Sequence, residues 1–228
     1  MIMGTRERIL DHSLLLFNQR GVAWVTTLDI ATEMNISPGN LYYHYHGKEE
    51  LVLPLLAEFQ LAIDRLNRNI SSDVQTLDDC LPLLYTLLGV CRHYRFILRD
   101  QNFFLQESAG VSAHLPRKWR RVLRSLQEFS HHLIARFGPY LHEDEQQLLA
   151  DNLVLMGLSW LCFEPHLTHH TVTDMSKDAP PQASSPAQSE WLVEDEEMLI
   201  QTGIRRLTAV LTPYLSLSAA RACSADAR

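Results

Sequence analysis

The chain has 228 residues, and its 20 lysines and arginines stand against 27 aspartates and glutamates, which gives a formal net charge of -7. Hydrophobic residues make up 46%, an ordinary globular proportion that excludes wholesale disorder. The acidity argues against a protein that coats nucleic acid by charge alone, but it leaves room for a small DNA-reading module on an acidic body. Residues 1–48 carry balanced charges, so the acidic excess lies entirely in the later part of the chain.

Apolar runs are too short to cross a bilayer. The longest, Leu153–Phe163 and Leu81–Cys91, fall well below the ~18–20 residues of a membrane span, and the second contains Pro82. The N-terminus has no apolar segment of the kind found in signal peptides. The cysteines are scattered without close pairs, which indicates reduced thiols. We therefore expect a cytoplasmic protein with no membrane partner.

The N-terminal segment predicts a short helix after a longer one. A stripe at Ile9, Ser13 and Phe17 marks the first helix, and Gly21 ends it. The second helix follows Thr26-Thr27, either of which can cap it by accepting an amide hydrogen bond, and runs from Leu28 to Met34.

The next residues predict a tight turn between two further helices. Asn35 tolerates the left-handed conformation that such a turn needs. Ser37-Pro38 is typical of a cap followed by proline at the first helical position, so a third helix runs from Pro38 to about Tyr45. Lys48 then begins a long fourth helix that reaches about Ile70.

The remainder also has helical spacing of its apolar residues. Ser and Pro dominate a predicted loop at 168–189, and a small polar tail follows 215. The fold class is therefore all-α: a three-helix domain at 1–47, a larger helical domain at 48–215, and a flexible tail at 216–228. The later predicted helices lie near Leu77–Leu98, Asp100–Ala109, Pro116–Phe137, Glu143–Pro165 and Glu190–Leu215.

The segment Thr27–Tyr45 has the spacing of a helix-turn-helix. Leu41 and Tyr45, four residues apart, bury one face of its second helix. The opposite face carries Ser37, Asn40, Tyr42, Tyr43 and His44, whose side chains are all able to form hydrogen bonds, and a short helix of this kind suits a DNA major groove.

Residues 5–51 resemble the DNA-binding domain of TetR-family transcriptional regulators. The motifs are Arg8-Ile9-Leu10, Leu14-x-x-Phe17, Gly21, Thr26-Thr27, Asp29-Ile30-Ala31, the run Ser37-Pro38-Gly39-Asn40-Leu41-Tyr42-Tyr43-His44-Tyr45, and Lys48-Glu49-Glu50-Leu51. The later segment His93-Tyr94-Arg95-Phe96 through Asp100-x-x-Phe103 is similar, more weakly, to one C-terminal subgroup of that family.

The resemblance implies a homodimer that binds a palindromic double-stranded DNA operator. It implies phosphate contacts by Thr27, Tyr42 and Lys48, the first and last of which lie at helix N-termini that attract phosphate. Contacts at or near base edges fall to Ser37, Pro38, Gly39, Asn40, Tyr43 and His44. Asn40 can pair with adenine, and no arginine lies between Arg20 and Lys48 to read guanine.

The larger domain is expected to hold a small, mostly apolar effector, because its aromatic and apolar residues would line a cavity with few polar anchors. The expected effector residues are Cys91, His93, Tyr94, Phe103, Trp119 and Trp160. The last two helices carry apolar stripes suited to a two-fold, four-helix dimer interface. The expected interface residues are Leu153, Leu161, Ile204, Leu207 and Leu211.

Other chemistries have weaker support. The histidines between His166 and His170 lie close to Cys162, but Pro165 interrupts the helical spacing, so we expect neither a metal nor a cofactor. No catalytic motif is complete, so we expect no enzyme. A basic cluster at 117–124 is either a solvated face or a site for an anionic group of an effector.

Two functions remain open from sequence. The first is a ligand-responsive DNA-binding regulator, most simply a repressor released by its effector. The second is a helical binding or interaction module that has lost DNA affinity, an alternative raised by the balanced charge of residues 1–48.

Overall fold

The computed structural model describes residues 4–70, 77–106, 113–137, 141–167 and 197–212, and their regular structure is entirely helical. This confirms the all-α class. None of the helices in these ranges is both long and apolar enough to span a membrane. The helices are α1 Thr5–Arg20, α2 Thr27–Glu33, α3 Pro38–His44, α4 Lys48–Arg68, α5 Leu77–His93, α6 Arg95–Arg99, α7 Gln101–Leu105, α8 Leu115–Phe137, α9 Glu143–Leu167 and α10 197–212.

Helices α1 to α3 form a head whose turns follow from local chemistry. Gly21 ends α1 with a φ of 91°, a backbone conformation that residues other than glycine rarely adopt. Asn35 adopts a φ of 54° between α2 and α3, which confirms the predicted left-handed turn. Ser37 caps α3, since its Oγ accepts a 3.2 Å hydrogen bond from the amide of Asn40.

Helix α4 joins the head to the body. Its N-terminal residues Leu51, Val52 and Leu55 are buried together with head residues such as Phe17, while its later residues pack on α8. Helix α8 in turn packs along α9, and the buried side chains of head and body form one continuous hydrophobic core. The position of the head is therefore set by what α4 contacts along its length.

The predicted single helix Leu77–Leu98 is wrong, because α5 ends at His93 and α6 begins at Arg95. Tyr94 leaves the helical conformation, with φ -108° and ψ 31°, and Asp100 does so again with ψ 43°. These breaks allow Phe96, Ile97 and Leu98 all to be buried, which three consecutive residues of one straight helix on a surface do not achieve.

Other predicted elements are confirmed where the structure describes them. Helices α8 and α9 match the predicted Pro116–Phe137 and Glu143–Pro165 within two residues. Helix α7 is shorter than the predicted Asp100–Ala109, and Ala109 lies outside the described residues. The predicted loop 168–189, the tail 216–228 and both ends of the predicted Glu190–Leu215 helix also lie outside them.

Candidate nucleic-acid interface and ligand cavities

Helix α3 presents a polar face to solvent and anchors itself by the other. Leu41 and Tyr45 are each 2% exposed, whereas Tyr42 and Tyr43 are 60% and 81% exposed. Four of the predicted base-edge residues, at the start of the helix, are exposed as well: Ser37, Pro38, Gly39 and Asn40. His44, at the end of the helix, is half-buried. The structure thus brings this predicted set together on one accessible surface.

Gly39 has no internal reason to be glycine. A Cβ atom built there meets no heavy atom within 4 Å, and its φ is not one that requires glycine. The position is the second of α3, where alanine would favour the helix. A glycine in open space at an exposed helix N-terminus leaves room for close approach of another molecule.

The start of α2 assigns different roles to the two threonines. Thr26 is the cap: its Oγ1 accepts from the amide of Asp29 at 3.1 Å and donates to Oδ2 of Asp29 at 2.6 Å. The hydrogen bonds that the Thr26 hydroxyl and then the Thr26 amide donate to the Asp29 carboxylate lower the pKa of Asp29 below its ordinary value. The hydroxyl of Thr27 has no partner in the described part of the chain, so it is free for a phosphate.

Lys48 is already engaged within the protein. Its Nζ donates to the carbonyl oxygens of Val22 at 2.7 Å and Ala23 at 3.2 Å, and it lies 5.9 Å from the ring centroid of Phe103. Desolvation by burial lowers the pKa of this amine. The ammonium group therefore fixes the connector between α1 and α2, a role that the phosphate expectation did not include.

Two further cations of the head also have partners. The guanidinium of Arg6 lies 5.2 Å from the ring centroid of Tyr45, and Arg20 forms a 3.8 Å ion pair with Glu33. With Lys48 engaged, the cationic charge available to DNA is smaller than the sequence count.

Trp24 is an exposed residue that sequence reasoning missed. It is 82% exposed, although its neighbours Val22 and Val25 are buried. It lies on the connector that Lys48 holds, two residues before the cap Thr26. The only sequence signal was an aromatic residue in a short connector, where burial is the ordinary assumption.

Asp100 and Arg99 join the head to the body. The Oδ2 atom of Asp100 accepts from the amide of Val22 at 2.7 Å, and Nη2 of Arg99 donates to the carbonyl of Phe17 at 2.7 Å. Asn18 contributes from the head, because its Oδ1 accepts from the amide of Phe96 at 3.1 Å. The segment with the weaker family resemblance thus forms the junction that positions the head.

An apolar cavity lies between α5, α8, α9 and α10. Its volume is about 50 Å³, far below the ~300–1,000 Å³ of typical small-molecule sites. Cys91 lines it, and burial raises the pKa of this thiol to about 12, so it behaves as an apolar group. Around it the lining is dominated by leucines, among them Leu84, Leu88, Leu126, Leu133 and Leu158.

The other predicted effector residues do not line this cavity. Trp119 donates from Nε1 to the carbonyl of Ile97 at 3.1 Å, and Trp160 lies under Arg206, whose guanidinium is 4.5 Å from a ring centroid of the indole. Tyr94 donates to Glu58 at 3.3 Å. His93 is exposed and Phe103 lies near Lys48. Trp119 and Tyr94 connect helices, since their side-chain polar atoms donate to internal partners.

The predicted dimer residues lie inside the protomer. Leu153, Leu207 and Leu211 line the apolar cavity, and Ile204 is 8% exposed. The side chain of Leu161 lies outside the described residues. The sequence predicted that these apolar stripes contact a partner chain. In the structure, α9 and α10 bury them within one chain, against α5 and α8.

Different apolar residues of the last two helices face outward. Leu148 and Leu155 on α9 are 65% and 61% exposed, and Met198 on α10 is 55% exposed. Asn152 lies between the two leucines on the same face of α9, at a four-residue spacing from Leu148. This outward stripe is the surface that a partner chain could cover.

Gly203 sets the approach of α10 to its neighbours. A Cβ atom built there would lie 3.0 Å from Cδ1 of Leu88 and 3.1 Å from Nε1 of Trp160.

No cluster of side chains that could bind a metal ion occurs within the described ranges, and the side chains of the Cys162–His170 region fall outside them.

Comparison with known proteins decides the family. A model of bacterial regulatory proteins of the tetR family matches residues 9–55, and a second model, described as a bacterial transcriptional repressor of the TetR type, matches residues 58–222. Together they cover most of the chain. It belongs to the TetR family. The predicted recognition is confirmed, and so is the expectation that the chain is not an enzyme.

Two relatives align with this TetR-family regulator over most of both chains. A TetR-family regulator from Marinobacter aquaeolei VT8 is 26% identical, covers 93% of this chain with 92% of its own, and superposes with a TM-score of 0.71. The probable HTH-type transcriptional regulator YttP of Bacillus subtilis is 24% identical over 77% of this chain and 83% of its own.

A third relative was solved with a ligand. The SmeT–triclosan complex is 17% identical to this chain over 73% of it and 84% of its own chain, with a TM-score of 0.51. This similarity shows the fold alone.

The family-model matches show that the chain is a DNA-binding transcriptional regulator with the TetR family's two helical units.

Proposed function

We propose that this regulator is a homodimeric repressor that binds a palindromic operator through α3 and is released by a small apolar effector. The observation that carries the DNA-binding role is the exposed polar face of α3, with Gly39 open to close approach and Tyr42 and Tyr43 largely exposed. The free hydroxyl of Thr27 and the exposed α3 N-terminus supply phosphate contacts that need no charge.

Lys48 contributes to this interface through the connector. Its hydrogen bonds to the carbonyls of Val22 and Ala23 hold the segment that leads into Thr27. Replacement by alanine should weaken binding to all DNA sequences about equally, as expected for a change that moves phosphate contacts and leaves base readout alone.

The DNA-binding role is tested by gel shift on the DNA that flanks the gene. Wild type should bind, and Tyr42→Ala should lose operator binding while remaining folded, because Tyr42 is 60% exposed. Leu15→Ala, at an exposed site on α1 outside the helix-turn-helix, serves as the matched control. Absence of any shift with wild type would favour the alternative of a helical module that has lost DNA affinity.

The dimer is proposed to form through the outward stripe of α9 and α10. Leu148 and Leu155 repeat at a seven-residue spacing, and Met198 extends the apolar surface. A four-helix arrangement of two α9 and two α10 helices would bury them by two-fold symmetry. Two heads could then reach successive major grooves, ~34–36 Å apart.

The effector is proposed to enter the leucine-lined cavity. At about 50 Å³ the cavity holds only a few heavy atoms, so a ligand must displace α5, α8 or α10 to be accommodated. Binding of a ligand in the cavity would therefore change the shape of the body, and the hydrogen bonds of Asp100 and Arg99 would transmit this change to the head. The triclosan complex of SmeT supports a small molecule as the ligand class.

Native mass spectrometry of the protein as purified tests this cavity. A co-purified small molecule that is lost in Leu126→Trp, which fills the cavity, and kept in Leu61→Trp, at an exposed site of α4, would support the assignment. A molecule retained by both variants would contradict it. The regulator would act where its DNA lies, in the cytoplasm.

A further inference from the structure

A charged groove lies between α4 and α8, on the outside of the body. Helix α8 contributes four cations that line it, and Asp64 of α4 forms part of the opposite wall. Its volume is about 640 Å³, which falls within the range of small-molecule sites. The cations are Arg117, Lys118, Arg121 and Arg124.

The groove and the apolar cavity lie on opposite faces of α8. Arg117, Arg121 and Arg124 repeat at three- and four-residue spacings and share one face, whereas Leu126 and Leu133 line the cavity from the other. A ligand in the groove therefore does not occupy the effector cavity. The two differ in size as well, since only the groove has ligand dimensions in the present conformation.

The groove cations have no ion-pair partner in the part of the chain that the structure describes. Two carboxylates line the groove, Asp64 and Glu128, which leaves a net charge of +2 when His114 is neutral. Oδ1 of Asp64 already accepts from Nε2 of Gln60 at 2.8 Å and from Oγ of Ser125 at 3.0 Å. Four clustered cations in an acidic chain repel one another unless an anion joins them.

Neither DNA nor the described acidic end of α10 accounts for this charge. Asp64 follows Lys48 by sixteen residues of continuous helix, which places the groove ~24 Å along α4 from the head. Glu197 hydrogen-bonds instead to Tyr85 of α5 and to Gln201. Within the described ranges no carboxylate forms an ion pair with these cations, and a freely diffusing anion fits the groove's size and charge.

We propose that the α4–α8 groove is a second ligand site, which binds a small phosphate-bearing anion independently of the apolar effector. Three guanidinium groups offer paired donors that match phosphate oxygens, and Lys118 adds a point charge. The ring of His114 adds a further hydrogen-bonding group to the lining, whereas the proton of the Ser125 hydroxyl is already donated to Asp64. The proposal concerns binding alone, so it stands or falls separately from operator recognition.

Isothermal titration of the full-length protein with inorganic pyrophosphate at constant ionic strength tests the site. Wild type should bind, Arg121→Glu should weaken the affinity about tenfold or more, and Arg120→Glu should leave it within about twofold. Arg120 is the matched control because it is exposed on the same helix, carries the same charge change and does not line the groove.

Circular dichroism confirms that both variants are folded, and Arg124→Gln provides a second, milder groove variant. Equal weakening by Arg120→Glu and Arg121→Glu would overturn the proposal, because it would show diffuse attraction without a site. Absence of pyrophosphate binding to wild type would overturn it too. Loss of DNA binding in Arg121→Glu, with Arg120→Glu unaffected and no pyrophosphate present, would instead identify the groove as a nucleic-acid surface.

Discussion

The amide of Val22 donates a 2.7 Å hydrogen bond to Oδ2 of Asp100, across 78 residues of sequence. Val22 follows the glycine that ends α1, and Asp100 lies between α6 and α7. Arg99 holds the same carboxylate, with its Nε 2.7 Å from Oδ1. The head is therefore attached to the body at a second place besides the continuous helix α4.

Loss of this attachment should be measurable as stability. Asp100→Ala removes a hydrogen bond to a charged acceptor and should lower the free energy of unfolding by about 1.5–3 kcal/mol. Urea denaturation measures it. Asn102→Ala, at an exposed site two residues later, should change stability little. Equal loss in both variants would contradict the role of Asp100.

Gly39→Ala separates folding from DNA binding. The added methyl group meets nothing within 4 Å, and alanine favours a helix over glycine by about 1 kcal/mol. The variant should be at least as stable as wild type in thermal unfolding and bind operator at least tenfold more weakly, a loss of about 1.4 kcal/mol. Unchanged operator affinity would show that DNA does not approach Gly39 closely.

Asp29 should make the stability of the head depend on acid. Hydrogen bonds from Thr26 hold its folded pKa below the ordinary value of 3.8. Its stabilising effect is therefore present above that value and disappears as pH falls through the folded pKa. Asp29→Asn should lower the unfolding free energy near neutral pH, and the difference from wild type should shrink as pH falls below 3.8 and through the folded pKa.

Chemical denaturation across this pH range measures the effect. Asp11→Asn, at an exposed aspartate on α1 without such hydrogen bonds among the described residues, is the control for loss of one carboxylate. A constant gap between wild type and Asp29→Asn at all pH values would contradict the assignment.

Leu155→Glu tests the outward dimer stripe. Leu155 is 61% exposed in the protomer, so a charge there should leave the fold intact and disrupt only a partner contact. Light scattering should show a dimer for wild type and a monomer for the variant at micromolar concentration. Gln147→Glu, exposed on another face of α9, should remain dimeric. A wild-type monomer would contradict the proposed dimer.

A charged substitution at Leu207 is unsuitable as a test of the dimer, because Leu207 lines the cavity and a charge there would unfold the body.

Operator binding should depend weakly on salt. The logarithm of the association constant falls by about 0.9 per phosphate neutralised. Of the four cations in residues 1–48, Arg6, Arg20 and Lys48 have partners within the head, and Arg8 is exposed. Neutral groups such as the Thr27 hydroxyl must supply most phosphate contacts. Titration of operator at several salt concentrations should give a shallow slope per dimer. A slope typical of eight or more charged contacts would show that another surface binds DNA.

The head was the most predictable part, because local chemistry determines it. Gly21, Asn35 and Ser37 each satisfy a backbone requirement within a few residues, and the structure has all three as expected. The choice of Thr26 over Thr27 as the cap was open in the sequence, since it depends on Asp29 lying three residues after one and two after the other.

The body was predictable only to the level of its helices. Apolar periodicity continues through Tyr94, so it could not reveal that Asp100 needs α6 to turn toward the head. Nor does a stripe such as that of Leu207 tell whether its own chain or a partner covers it. Trp119 was assigned to a ligand by residue type, but a backbone carbonyl 22 residues earlier takes its hydrogen bond.

Gly203 lies against residues that shape the leucine-lined cavity, although it does not line the cavity itself. Leu207 and Leu211 follow it on α10 at one- and two-turn spacings and form part of the cavity wall. A Cβ atom at 203 would lie 3.0 Å from Cδ1 of Leu88 and 3.1 Å from Nε1 of Trp160, so these side chains would have to shift by a few tenths of an ångström. Because Leu88 itself lines the cavity, a substitution at this one position would alter the shape of the cavity without replacing any residue that lines it.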